Sequence, residues 1–109
     1  MATQQDAQLM MQVLQWNSMS GGIEASINLM SPDFDPERAS ATDKDVFTLL
    51  LLGETIGTFT KQGLLDAGLV YDLWAPALVW DRVGPAARRQ REEVGEPRLW
   101  ENFEALANG

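Results

Sequence analysis

Residues 63–83, GLLDAGLVYDLWAPALVWDRV, place two tryptophans, a tyrosine and many leucines and valines among only four charges. A stretch this apolar must be covered by the rest of the chain, so every other apolar stripe reads first as its cover. Leu65, Leu69 and Leu73 form one row at four-residue spacing, and Val70, Trp74 and Leu78 form the next, as a helix requires. Asp66 stands where it would cap that helix at Ala67. Pro76 lacks a backbone N–H and disfavours helix in the residue before it. The segment therefore kinks near Ala75, or ends there and restarts with Pro76 as first helical residue. Gly84-Pro85 repeats the same ambiguity further on.

Upstream, residues 4–30 read as one long helix with Thr3 and Asp6 in the positions of a cap and an acidic first turn. Leu9, Val13, Trp16, Ser20, Ile23, Ile27 and Met30 alternate spacings of four and three, a heptad seam on a helix running about 40 Å at about 1.5 Å per residue. Gly21-Gly22 interrupts it and predicts a kink or a tight crossing. Residues 31–42, with two prolines and alternating acids, form a connection that Phe34 pins to the core. Thr42 to Asp45 resembles a capping box opening a second helix. From Val46 to Phe59 that helix is apolar on more than one face, which places it centrally. Gly53 and Gly57, four apart, allow another helix to approach, and Gly63 is a stop. Downstream, residues 86–94 read as a mostly solvated charged helix. A last helix from Pro97 to Ala107 turns Leu99, Trp100, Phe103 and Leu106 to one side, with Glu101 and Glu104 toward water.

The expected fold is all-α: one domain over residues 1–109, an irregular bundle of four or five helices with a long N-terminal helix. At 109 residues, 45% hydrophobic and 22% charged, the chain is an ordinary globular size and composition.

Composition also bounds the chemistry. The chain has neither cysteine nor histidine, so thiolate nucleophiles, histidine-based triads and the usual zinc sites are excluded. Its net charge of −8 resides in residues 1–81, which hold eleven acids and three bases; residues 82–109 hold five of each. That balance disfavours nucleic acid and anionic membrane surfaces. Neither a signal peptide nor a membrane-spanning run is recognisable, which leads to a cytoplasmic expectation. Asp33, Asp35 and Glu37 alternate as calcium loops begin, but Arg38 and Lys44 stand where such a loop needs glycine and glutamate, so no metal is expected. Arg82, Arg88, Arg89, Arg91 and Arg98 are interleaved with acids, the pattern of a salt-bridged solvated helix.

The pieces LLGETIG, KQGLLDAGLVYDLWAP, REEVG and PRLWENFEALA, spread from about Leu50 through Ala107, resemble an uncharacterised family of small helical bacterial proteins known only as a domain of unknown function. The resemblance implies an all-helical fold and a bacterial origin, and transfers no catalytic residue.

Two functional readings follow. The first is a non-enzymatic interaction module that self-associates as a homodimer or binds another protein, without cofactor. Leu9, Val13, Trp16, Ile23, Ile27 and Met30 are its candidate contact surface. The second is a small-molecule-binding protein or carboxylate-dependent enzyme with a pocket near Glu54 and Tyr71, flanked by Asp72, Trp74 and Trp80. Glu54 lies between Leu52 and Ile56 on the central helix. Desolvation there would raise its pKa unless an arginine such as Arg82, Arg88 or Arg91 pairs with it.

Overall fold

The computed structural model describes all 109 residues. Its six helices, without a strand, are α1 (Gln4–Met19), α2 (Gly22–Leu29), α3 (Lys44–Lys61), α4 (Ala67–Leu73), α5 (Pro76–Val94) and α6 (Glu101–Asn108). The all-α class stands, with more helices than the four or five expected.

The centre is α3. Val46, Leu49, Leu50, Leu52 and Ile56 are all buried along it, and it packs most extensively on α6 and α2. Asp43 is its N-cap residue, and the expected box at Thr42 does not form: the Asp43 carboxylate accepts instead from the Ser40 N–H at 2.8 Å, closing the preceding turn. A capping box does form at Thr3 and Asp6, where each side chain meets the other's backbone N–H. Asp66 caps α4 through the Leu69 N–H at 3.0 Å.

The long first helix is in fact two. Gly21 takes φ +85°, a left-handed conformation that ends α1 and restarts the chain as α2. This break resets the phase of the heptad. On α1, Met10 and Val13 face the core; on α2 the inward set is Gly22, Ala25 and Leu29. Ile23 and Ile27, four apart and on the opposite side, are 53% and 66% exposed. The seam therefore does not cover the centre as a continuous stripe.

The aromatic segment divides at Trp74–Ala75, and Pro76 opens α5. At Gly84-Pro85 the outcome differs, for α5 continues through both. A proline in a helix clashes partly with the Cβ of the residue before it, and Gly84 has none. The same absence seats the Trp80 indole, which a Cβ at Gly84 would approach to 3.0 Å. Residues 86–94 are consequently the second half of one helix, with Ala86 and Ala87 buried. Arg89, expected in solvent, reaches back to donate to the Pro36 and Ala39 carbonyls and so anchors the 31–42 connection, while Phe34 packs on the core.

Candidate functional site

Glu54 is the acid that sequence places most centrally, and the structure gives it a definite task. Its Oε1 accepts the backbone N–H groups of Asn102 and Phe103, each at 3.0 Å. These belong to the first turn of α6, whose own N-terminus has no side-chain cap. An α-helix leaves its first N–H groups without internal partners. Here Glu101 N–H bonds the Arg98 carbonyl, Glu104 N–H bonds the Trp100 carbonyl, and the two between are met by Glu54 from 48 residues away. A carboxylate at a helix N-terminus also meets the positive end of its dipole. No arginine pairs with Glu54, which corrects that expectation. The arginine that is held, Arg91, donates from Nε to the Leu99 carbonyl at 2.6 Å and from Nη1 to Glu104 at 2.8 Å, while Arg88 approaches the same glutamate at 3.7 Å. Glu104 is thus an ion-pair partner and does not simply face water.

Two glycines make the approach feasible. A methyl group at Gly57 would overlap the Asn102 carbonyl, and one at Gly53 would overlap the Phe103 ring. Thr58 adds a bond from the Asn102 side-chain amide at 2.9 Å. Just before α6, Trp100 takes φ +63°, the only non-glycine residue with positive φ. A bulky side chain there is strained by about 1–3 kcal/mol. Burial of its ring, a hydrogen bond from its indole to Gln90 at 2.7 Å and an edge contact with Phe47 hold it in place.

The other predicted pocket residues separate into different settings. Trp80 is buried and stands edge-on to Phe103 at 5.0 Å, with the Arg88 and Arg91 guanidinium groups each 5.8 Å from its ring centre. Trp74 also stacks on Phe103, at 5.7 Å. Tyr71 is half exposed and its hydroxyl donates to the Leu106 carbonyl at 2.8 Å, tying α4 to the end of α6. Tyr71 and Trp74 wall an open depression of about 330 Å³ with Ala75, Pro76, Ala77, Ala107 and Gly109. Glu54 and Trp80 do not line it. Asp72 and Asp81 are exposed, and no group of three acidic side chains converges to form a metal site.

The expected contact surface is likewise divided. Val13 is buried, Leu9 and Met30 are half-buried against the core, and Trp16, Ile23 and Ile27 are exposed, joined by Met11 and Met19. The α6 cap was the relation hardest to see from sequence. One signal existed: residues 97–100 contain no Ser, Thr, Asp or Asn to cap the helix that follows.

Elsewhere the titratable groups are surface features. The Thr3 backbone N–H and hydroxyl hold Asp6 below the usual aspartate range. The Arg98 guanidinium, 2.9 Å from Glu101, lowers that carboxylate, and its own pKa is raised in return. No helix is long and apolar enough to cross a membrane.

Comparison with curated proteins and with solved structures finds no match. A family model, described as a domain of unknown function (DUF4760), matches residues 2–109. Since the match covers nearly the whole chain, including the Gly53-Glu54, Gly57 and Trp100–Phe103 pieces that build the helix cap, the protein belongs to this family.

Proposed function

We propose that the chain is a non-enzymatic helical interaction module that self-associates, in the cytoplasm of a bacterial cell. The observation that carries the reading is a contrast in how side chains are used. The groups with chemical potential between the helices are engaged in holding them together: Glu54 caps α6, Tyr71 ties α4 to α6, and Arg91 clamps α5 to α6. Meanwhile Met11, Trp16, Met19, Ile23 and Ile27 on the first two helices remain 37–80% exposed. Other apolar side chains, such as Leu73 and Leu78, are exposed too, but these five follow one another along two consecutive helices and are read as one contact surface.

Light scattering behind size exclusion, over a range of concentrations, tests this. A mass of twice the chain is expected, and monomer throughout would overturn it. Ile23→Asp or Ile27→Asp is the suitable disrupting variant, since both positions point away from the core; Val13→Asp would unfold the protein instead.

A small-molecule reading draws on one feature, the Tyr71–Trp74 depression, whose volume is at the low end for ligand pockets. It is open and lacks convergent polar groups, so the interaction reading is preferred.

A further inference from the structure

The polar contacts that seat α6 are supplied by three other helices. From α3, Glu54 caps it and Thr58 meets the Asn102 amide; from α4, Tyr71 donates to the Leu106 carbonyl; from α5, Arg91 grips Glu104. Gly53 and Gly57 leave the space into which the Phe103 ring and the Asn102 backbone fit. Eight residues do not hold a helix alone in water, so α6 depends on this seat for its form. The seat is specific for one segment, and its contacts are the same whichever copy of the chain supplies that segment.

The link that keeps α6 on its own chain is short and sharply bent. α5 ends at Val94 and α6 begins at Glu101, and Glu104 returns alongside Arg91 and Arg88. Between the helices Gly95 takes φ +70° and Trp100 φ +63°, and bonds from the Glu96 N–H to the Arg91 carbonyl and from the Leu99 N–H to the Glu96 carbonyl fold the turn. The tryptophan is strained in that conformation. A short hinge under strain favours handing the element that follows it to a neighbouring copy. Resting on the self-association reading above, we propose that two copies exchange α6: residues 99–108 of each lie on α3 and α5 of the other, and residues 95–98 are the crossing hinge. Extended, residues 95–100 span about 20 Å, which carries α6 clear of its own seat. Every contact of the seat is remade between chains, the hinge no longer folds back, and the mutual exchange closes after two copies. The exposed side chains of α1 and α2 bring the copies together, and the exchange locks them.

The chain has no cysteine, so introduced thiols report which copy supplies α6. The Thr58 and Asn102 side chains meet at 2.9 Å. Thr58→Cys and Asn102→Cys chains, refolded together and treated with a short thiol–thiol crosslinker, should give covalent dimers from about half of the assemblies, since each thiol finds the other only across an exchanged α6. Circular dichroism checks that both variants retain their helix. A second variant acts on the hinge alone. A Cβ at Gly95 would meet no atom within 4 Å, so Gly95→Ala penalises only the left-handed turn. In light scattering it should tighten the dimer about 30-fold, about five-fold from each of the two hinges. Absence of mixed covalent dimers, or a Gly95→Ala dimer no tighter than the parent's, overturns the exchange while leaving self-association standing. A parent protein that stays monomeric overturns both.

Discussion

Removing the Glu54 carboxylate tests the central relation in this fold. Glu54→Ala deletes two hydrogen bonds from backbone N–H groups to a charged acceptor, each at 3.0 Å. Hydrogen bonds to charged groups contribute about 1.5–3 kcal/mol apiece, and loss of an N-cap costs about 0.5–2 kcal/mol. Glu54 is only half-buried and the two bonds share one oxygen, so simple addition overstates the loss. About 2–3 kcal/mol is expected, read as the change in urea unfolding free energy followed by tryptophan fluorescence. For a domain of this size that lowers Tm by roughly 10–20 °C. Glu54→Gln keeps an acceptor of similar reach and loses the charge, so it should cost about 1 kcal/mol. Glu54→Asp shortens the side chain by one methylene and should behave more like alanine. If alanine changes stability by less than about 0.5 kcal/mol, water caps α6 as well as Glu54 does and the reasoning fails. If glutamine equals alanine, charge rather than the hydrogen bonds carries the effect.

Gly57→Ala places a methyl group against the Asn102 carbonyl and should destabilise by about 1–3 kcal/mol in the same assay, despite alanine's better helix propensity. Phe103→Ala opens a cavity among Trp74, Trp80 and the core, and a loss of about 3–5 kcal/mol should appear as a much lower Tm by circular dichroism. Arg91→Lys gives up the fork that reaches Leu99 and Glu104 together and should cost about 1–2 kcal/mol, with Arg91→Met worse because Glu104 loses its closest partner. Asp6 and Glu101 are both lowered in the folded state, so the stability each lends is present above its unfolded pKa and is lost as pH falls through the folded one. An NMR titration should find Asp6 below 3.8 and return it toward that value in Thr3→Ala.

The parts of the fold that sequence made legible are those set by local chemistry. Asp66 as a cap, Pro76 as a first helical residue and the central position of residues 46–59 all follow from side chains acting within a few residues of themselves. What escaped depends on distant partners or on small backbone events. Gly21-Gly22 announced an interruption, but not that the turn would reset helical phase and send Ile23 and Ile27 outward, although their spacing from Val13 and Trp16 is a perfect heptad. Glu54 and Asn102 are 48 residues apart, and nothing in either segment alone names the other. Gly53 and Gly57 announced that a helix would come close without saying which. Pro85 was ambiguous because part of its effect rests on what precedes it, and glycine there removes the clash with a preceding Cβ.

The dependence of α6 on Glu54 also orders events in time. Eight residues are too few for a helix to persist alone in water, and its capping group arrives only when α3 is already formed and the chain has closed a loop of 48 residues. We expect α6 to dock late during folding and to detach early during unfolding. Its amides should exchange with solvent by local opening, well before those of Leu49 to Ile56. Weakening the cap should accordingly hasten unfolding while leaving the folding rate almost unchanged. A chain whose Glu54 variant folded proportionately more slowly would have α6 in its nucleus, and the order would be reversed.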